Sequence, residues 1–407
     1  MKILLINSFY YNGGSTGRIV KDLYDAINAN GDEAYIAYGL NRGEVIDDKE
    51  HIFRFERLFT KKIGGFEARL FGDHGFHNSW ATKMLCKWIA RINPDIIHIH
   101  NLHGSYINIE ILFAFLKELC KPVVMTLHDC WTFTGYCAHY SFPYCDKWKT
   151  RCCNCQYLYK YPHTYFVDRS SSNYIKKSKI FNSVDNLNIV TPCQWLKQEV
   201  QQSYLYKHEV RVIANGIDLT KFTPIYSHFK EKNGIGKMML AVASVWDESK
   251  GLQYLIKIAD TINRTDWKLV VVGNLKDRRL KNQNSVVWIP HTNNLDEMVE
   301  LYSAADVFIN PTLEDTFPTV NMEAIACGTP CVTFDTGGCG EVVSDATGFV
   351  ITKGDWEQLL KTAISCDKGK MHGDCVQKAK EKFTKELSMY GYIELYRGIN
   401  THEYNSL

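Results

Sequence analysis

The chain has 407 residues, of which 45% are hydrophobic and 23% charged, a composition that suits a globular protein of more than one domain. Lysine and arginine number 47 against 45 aspartate and glutamate, so the formal charge of +2 gives no overall electrostatic reason to expect a nucleic-acid partner. No apolar run approaches the roughly 20 residues that a membrane-spanning helix needs. We therefore expect a cytoplasmic protein, either soluble or peripherally attached to a membrane.

Short β-branched runs alternate with longer helical patterns along nearly the whole chain, which predicts parallel sheets covered by helices on both faces. A turn at Asn215-Gly216, followed by a polar stretch over 223–236, separates two sets of these units. The sequence thus predicts domains at 1–220 and 221–377, with a closing helical segment, 378–407, that packs back on the N-terminal domain. The strand candidates are Ile3–Ile6, Ala34–Ala37, Ile96–His100, Val123–Leu127, Leu187–Thr191, Val210–Ile213, Met239–Ser244, Leu269–Val272, Val286–Ile289, Val307–Asn310 and Cys331–Phe334.

Loops that follow strands are the first places to look for a site, because ligands of open parallel sheets bind at the carboxyl ends of the strands. The glycine-rich segment Asn12-Gly13-Gly14 follows the first strand and opens a helix, so its backbone could approach a phosphate or a sugar. A tight turn without a ligand has the same composition. This loop therefore stays a candidate with two interpretations.

Histidines stand at two other strand ends, in His100-Asn101 and His128-Asp129. A neutral imidazole at such a position could donate a hydrogen bond to a sugar hydroxyl or stabilise developing charge. A histidine that only bonds to the backbone is the alternative.

The segment from Phe53 to Phe71 combines phenylalanines and five cations with only two acids. Such a stretch suits contact with anionic lipid headgroups or with a lipid-diphosphate. A helix with its apolar face in the core gives the same pattern, so a peripheral membrane contact is one of two interpretations. The cations are Arg54, Arg57, Lys61, Lys62 and Arg69.

Fourteen cysteines are many for a cytoplasmic protein, and five of them lie between residues 137 and 155. Cys137, Cys145, Cys152 and Cys155 could bind a structural zinc ion, since the last two have the Cys-x2-Cys spacing of zinc knuckles. Reduced cysteines without a metal are the alternative. All-cysteine zinc sites are usually closed, so we expect such a metal to order the loop and not to take part in a reaction.

The most informative segment runs from Asn310 to Pro330, where a strand ends, a polar loop carries acids, and a helix begins near Pro318. Backbone N–H groups around Thr319 and Val320 would form an anion site suited to a diphosphate. Glu323, early in the helix, could accept hydrogen bonds from two adjacent hydroxyls, as a ribose presents them.

Asp315 and Glu323, separated by seven residues and followed by Thr336-Gly337-Gly338, resemble the signature of glycosyltransferase family four. The first acid of that signature is usually glutamate, so Asp315 is a departure. The turn at 215–218 resembles the family's domain junction, and the segment 243–252 resembles its diphosphate loop. Lys250 fits that loop, but Val245 stands where an arginine is common; by position, Lys276, Arg278 or Arg279 could substitute.

The resemblance implies a retaining GT-B enzyme, an α/β protein whose two Rossmann-like, doubly wound domains face a central cleft. Its donor would be a UDP- or GDP-linked sugar and its acceptor a saccharide or lipid-linked saccharide, as in bacterial capsule and exopolysaccharide transferases with a Cys-rich insertion. The transfer itself would need no metal or other cofactor. The implied site residues are His128 and Asp315 for catalysis, Gly14, Lys250, Thr319, Val320, Glu323 and Gly338 for the donor, and His100 and Asn101 on the acceptor side.

Two other functions remain open. A GT-B sugar-nucleotide epimerase shares the donor-binding parts but would convert its donor without a second sugar. A catalytically silent nucleotide-binding partner, which Val245 and Asp315 make conceivable, would bind a nucleotide without turnover.

Overall fold

The computed structural model describes residues 1–10, 14–40, 50–55 and 58–404, without the side chains of residues 40, 58–63 and 401–404. Asn12, Gly13 and Arg57 therefore lie outside the described residues, as do the side chains of Lys61 and Lys62. Within the described ranges, no helix is long and apolar enough to cross a membrane.

The chain forms two compact units. The first unit comprises Met1–Tyr140, Tyr144–Ile213 and the segment from Met389, and the second comprises Ser141–Pro143 and Ala214–Ser388. The predicted limits, 220 and 377, lie 7 residues after the first of these boundaries and 11 residues before the second. Residues just after Ile213 count with the second unit because Ile217 N–H donates to Phe383 O at 2.8 Å and Lys385 N–H donates to Ile217 O at 3.0 Å.

The first unit contains a seven-stranded sheet in which every pairing is parallel. Its strand order is β3-β2-β1-β4-β5-β6-β7, so the direction of winding reverses between β1 and β4. The strands are β1 (Lys2–Phe9), β2 (Glu33–Leu40), β3 (Ile52–Arg54), β4 (Ile96–Ile99), β5 (Val123–Thr126), β6 (Leu187–Thr191) and β7 (Val210–Val212). The helices are α1 (Ser15–Ala29), α2 (Leu58–Phe71), α3 (Ser79–Ile92), α4 (Ile109–Leu119), α5 (Ser170–Phe181) and α6 (Gln194–Gln201).

The second unit contains a six-stranded parallel sheet of order β10-β9-β8-β11-β12-β13, which reverses between β8 and β11. The strands are β8 (Lys237–Trp246), β9 (Trp267–Leu275), β10 (Val286–Ile289), β11 (Val307–Asn310), β12 (Cys331–Phe334) and β13 (Gly348–Ile351). The helices are α7 (Phe229–Lys232), α8 (Leu252–Ile262), α9 (Leu295–Ala304), α10 (Thr319–Ala326), α11 (Cys339–Val342), α12 (Trp356–Ser365) and α13 (Lys368–Lys382); the last helix of the chain is α14 (Lys385–Tyr404).

Apolar periodicity explains how these elements pack. Helix α8 buries Leu255, Ile258 and Ile262, three to four residues apart, against the second sheet. Central strands such as β4 and β11 are buried along their whole length, since helices cover both faces. In the first unit, Tyr392 and Tyr396 of α14 enter the same core as Val20 and Ile36.

The predicted fold class is confirmed: both units are doubly wound parallel sheets. Two strands, β3 and β13, were not among the candidates. Strand β3 has only three residues, and β13 carries exposed side chains at Phe349 and Val350, so neither gives a long buried run.

Candidate functional site

Lys250 and Asp315 meet at the switch point of the second sheet. Lys250 follows β8 and Asp315 follows β11, the two strands between which the winding reverses. Lys250 Nζ lies 2.7 Å from Asp315 Oδ2 and donates to Glu314 O at 3.0 Å. Ligands of such sheets bind at this crevice, so the pair stands where a bound anion or sugar would be expected.

The turn that carries Lys250 is fixed by Asp247. Asp247 Oδ1 accepts from the backbone N–H groups of Ser249 at 3.0 Å and Lys250 at 3.3 Å. Burial disfavours the charged Lys250 amine, but the Asp315 carboxylate outweighs that penalty and raises the pKa of Lys250. Lys250 is therefore a cation at neutral pH.

Close backbone contact joins the Asp315 loop to the Gly337-Gly338 turn. Gly337 has φ +56°, and a Cβ on it would lie 1.8 Å from Asp315 O. Gly338 N–H donates to Thr316 O at 2.8 Å. Only glycine at 337 allows this approach, and the first glycine of the Gly-Gly signature is therefore required for steric reasons.

Helix α10 opens toward the same loops. Its N-cap is Pro318, with no side-chain cap, so the N–H groups of Thr319 and Val320 lie in a first turn that has no intrahelical acceptors. Glu323 follows one turn later and is buried, and Tyr302 O–H donates to its Oε2 at 2.8 Å. The hydroxyl of Tyr302 thus orients the carboxylate predicted to bind a ribose.

Two buried polar atoms near this helix have no hydrogen-bond partner among the residues that the structure describes: Asn321 Nδ2 and Thr336 Oγ1. Asn321 Oδ1 itself accepts from Asn310 Nδ2 at 2.8 Å, which fixes the amide in place. Unsatisfied buried polar groups are rare in folded proteins and are consistent with a ligand that would pair with them.

The chain lacks the second cation expected in the diphosphate loop, and one nearby lysine could take its place. Val245 is 40% exposed at the end of β8 and provides no charge. Lys276 pairs with Asp247 at 2.9 Å and so lies beside the Lys250 turn, whereas Arg279 pairs with Asp277.

The first unit has a second polar cluster at its own switch point, between β1 and β4. Gly14, the N-cap of α1, has φ +91°, and the side on which a Cβ would stand is open space. Asn101 bonds to the elements on either side of this loop, because its Nδ2 donates to Thr16 Oγ1 of α1 at 3.3 Å and its N–H donates to Asn7 Oδ1 of β1 at 3.4 Å. The structure thus brings Gly14 and Asn101 to one place.

Next to this cluster, His100 and His128 form a stacked pair. His100 Nδ1 lies 3.1 Å from His128 Nε2, and the rings are 5.4 Å apart at an angle of 16°. Burial lowers the pKa of His128 to about 4 and that of His100 well below its usual value, so both rings are neutral at pH 7. Asp129 instead pairs with His103 at 2.7 Å. Burial opposes the charge of this carboxylate, but His103 lowers the pKa of Asp129 to about 2.

The four cysteines predicted to bind zinc lie close enough together for three of them to affect the pKa of Cys137. Burial raises the pKa of the Cys137 thiol, and the Cys152, Cys155 and Cys145 thiolates add to the increase. No three His, Cys, Asp or Glu side chains of the described ranges form a group that could hold a metal ion. Zinc binding by these cysteines stays a prediction, which the metal content of the purified protein tests: one equivalent of zinc per chain would support it, and a chain without zinc would contradict it.

Comparison with protein families decides the assignment. Residues 16–221 match the model for Glycosyltransferase Family 4, and residues 236–366 match that for Glycosyl transferases group 1. The chain belongs to glycosyltransferase family 4. It is therefore a glycosyltransferase, as the order of its motifs predicted.

Similar proteins cover this glycosyltransferase almost end to end. It is 23% identical to WcaC of Escherichia coli (strain K12), named as a colanic acid biosynthesis glycosyl transferase, over 98% of this chain and 100% of that protein. Anabaena HepE in complex with UDP-glucose has a TM-score of 0.66, 16% identity and coverage of 98% and 100%. Sucrose-phosphate synthase from Thermosynechococcus elongatus has a TM-score of 0.68 and 15% identity, covering 98% and 99%. At these identities the two structures bear on the fold alone, and both agree with the GT-B prediction.

Two residues of the glycosyltransferase, Tyr302 and Lys177, were not predicted from the sequence. Tyr302, which orients Glu323, lies in α9 with no sequence signal beyond its apolar neighbours. Lys177 is 1% exposed, and its Nζ lies 3.6 Å from the centre of the Trp131 ring. Burial lowers the pKa of Lys177 to about 7. The helical pattern around this lysine does not predict that its side chain is buried.

A substitution of Gly337 tests the contact that holds the Asp315 loop. We expect Gly337→Ala to lower the free energy of unfolding by at least about 2 kcal/mol and to abolish most transferase activity, because positive φ alone costs an alanine roughly 1–2 kcal/mol. Denaturant unfolding and a transfer assay measure both effects.

Gly340→Ala is the matched control, since a Cβ at Gly340 would meet its nearest atom at 3.4 Å, an ordinary contact. Equal behaviour of the two variants would contradict the role given to Gly337.

Proposed function

We propose that this glycosyltransferase moves a sugar, with retention of configuration, from a nucleoside-diphosphate donor to a saccharide or lipid-linked saccharide in polysaccharide biosynthesis. The observation that carries the proposal is the grouping of Lys250, Asp315, the amino end of α10 and Glu323 at one switch point. The cation and the helix terminus match the diphosphate of such a donor, and the carboxylates of Asp315 and Glu323 match its sugar and its ribose. The full-length similarity to WcaC supports the biosynthetic context.

Each group of the donor has its own proposed partners. The diphosphate lies against the Lys250 amine and the N–H groups of Thr319 and Val320, with Gly338 shaping the turn beside them. The ribose hydroxyls donate to Glu323. Asp315, which lies against Lys250, orients the hydroxyls of the sugar, and His128 and Gly14 are assigned to the sugar side because of the family resemblance.

The chemistry follows from stabilising a departing diphosphate. The bond between the sugar's anomeric carbon and the diphosphate oxygen breaks, and the electron pair leaves with the phosphate, whose charge Lys250 and the helix terminus stabilise. The acceptor oxygen bonds to the anomeric carbon on the same face, and its proton passes to the leaving phosphate. In this proposal the step needs neither a carboxylate nucleophile nor a metal.

Neutral histidines suit such a transition state. His128, with its pKa lowered to about 4, would add no positive charge beside a cationic sugar at neutral pH. His100 and Asn101 are proposed on the acceptor side. UDP is the first nucleotide to test, because structures of HepE hold UDP and UDP-glucose. GDP is the comparison.

Product analysis separates this proposal from its rivals. A transferase forms a glycoside whose anomeric configuration matches that of the donor, which NMR of the product measures. An epimerase changes the donor sugar when no acceptor is present, and a silent partner leaves donor and acceptor unchanged.

Removing the Lys250 charge tests the stabilisation of the leaving group. We expect Lys250→Met to reduce kcat by about 100- to 1,000-fold, the range typical for loss of one group that stabilises a developing anion. Steady-state transfer kinetics provide the measurement. Lys232→Met, at an exposed position of the same unit, is the control and should match the wild type. A reduction of less than about fivefold in Lys250→Met would exclude this role.

Glu323 is tested by removing one hydroxyl from the ligand. Hydrogen bonds to charged groups contribute about 1.5–3 kcal/mol. The affinity of the wild type for UDP should therefore exceed its affinity for 2′-deoxy-UDP by at least about tenfold. Glu323→Gln should bind both about equally, whereas Glu300→Gln should discriminate as the wild type does. Calorimetry measures the six affinities, and unchanged discrimination in Glu323→Gln rules out contact with the ribose.

We also propose a peripheral membrane contact through a surface of the first unit formed by the end of α2 and the segment 163–167. Tyr165 N–H donates to Arg69 O at 2.9 Å, and Thr164 Oγ1 donates to the same oxygen at 2.8 Å, so segment and helix are adjacent. Phe66 and Phe166 are 61% and 82% exposed on this surface. Exposed aromatic rings beside arginine are typical of contact with anionic lipid.

Vesicle sedimentation tests the membrane contact. Phe66→Ser combined with Phe166→Ser should weaken binding to vesicles of phosphatidylglycerol and phosphatidylcholine by at least about tenfold, since each buried phenylalanine contributes about 1.5–3 kcal/mol. Tyr226→Ser removes an aromatic ring that is 76% exposed in the second unit and should have no effect. Equal binding of both variants, or none by the wild type, would contradict the proposal.

A further inference from the structure

A block of four polar side chains lies on neighbouring strands of the first sheet. His98 and His100 alternate along the line of β4, and Thr126 and His128 along that of β5. His98 pairs in register with Val124, so all four side chains extend from the same face of the sheet. Such a block is unusual in a parallel sheet whose strands are otherwise apolar.

Helix α14 closes this block from the far end of the chain. Tyr396 Oη lies 2.6 Å from His98 Nδ1, and Thr126 Oγ1 lies 2.8 Å from His98 Nε2. Tyr392, one turn away on the same helix, places its hydroxyl 3.1 Å from Thr126 Oγ1. Both ring nitrogens of His98 are thus held by hydroxyls, which fixes the orientation of a fully buried ring.

The fixed ring of His98 packs directly on the His100–His128 pair. The centres of the His98 and His100 rings are 4.1 Å apart, and His100 bonds to His128. Burial keeps all three imidazoles neutral, so in each ring one nitrogen donates and the other accepts. His100 Nε2 is buried and has no partner among the described residues, consistent with a ligand group bonding there.

We propose that Tyr396 is a positioning residue, which acts through His98 to set the orientation of His100 and His128. Its hydroxyl fixes the His98 ring, and the packed rings transmit that orientation to the edge of the sheet. The consequence for catalysis rests on the proposed function, in which His128 lies beside the transferred sugar. Small displacements of positioned groups can change rates substantially, which gives a remote hydroxyl an effect on turnover.

Tyr396→Phe, which removes only the hydroxyl, tests this assignment. In protein labelled with ¹⁵N-histidine, we expect the imidazole resonances of His98 and of His128 both to shift at neutral pH. Transfer kcat should fall about tenfold, while KM for the donor should stay within about twofold. Resonances are assigned with single His→Gln variants.

Tyr204→Phe is the matched control, because it removes a hydroxyl that bonds to Thr132 O in the same unit. An unchanged His128 resonance in Tyr396→Phe, or an equal loss of kcat in Tyr204→Phe, would overturn the proposal. Should Tyr396→Phe not fold, Tyr392→Phe carries the same test through Thr126. A wild type without transferase activity would refute the proposed function, and the resonances would still decide whether Tyr396 is coupled to His128.

Discussion

The ion pair between Lys250 and Asp315 is the interaction on which the proposed donor site of the second unit depends. The two residues are 65 positions apart in sequence, and they meet only because β8 and β11 are neighbours at the reversal of the sheet. Asp247 fixes the turn that carries Lys250, and Gly337 allows close backbone packing against the Asp315 loop. Cation and carboxylate are therefore in place before any donor binds, which reduces the reorganisation that binding requires.

The first unit uses the same sheet topology for a different electrostatic purpose. At or beside its switch point lie the neutral rings of His100 and His128 and the side-chain amide of Asn101. Burial of the histidines favours the uncharged form, whereas the second unit stabilises charge with a paired carboxylate. The two switch points therefore differ in their electrostatics, with neutral rings in the first unit and an ion pair in the second.

Sequence reasoning could predict the sheets and the places in them where most candidate site residues lie, since buried strands, glycine turns and acids near strand ends have local signals. It placed Lys250 and Asp315 between a strand and a helix and Glu323 early in a helix, where the structure has them, but it treated the three as separate motifs and did not predict the Lys250–Asp315 contact. Tyr396 was beyond reach for a stronger reason. Its partner, His98, is 298 positions away, and helical periodicity predicts burial of a tyrosine without revealing which group its hydroxyl meets.

Thermal unfolding with saturating UDP, GDP or neither nucleotide tests most directly whether the second unit holds a nucleotide donor. A ligand at a hundred times its Kd should add about 2.7 kcal/mol of stability. We predict this increase with one of the two nucleotides, UDP first, and its loss in Glu323→Ala. A folded wild type that neither nucleotide stabilises, in an assay that detects a known nucleotide-binding protein, would contradict the assignment of the donor site.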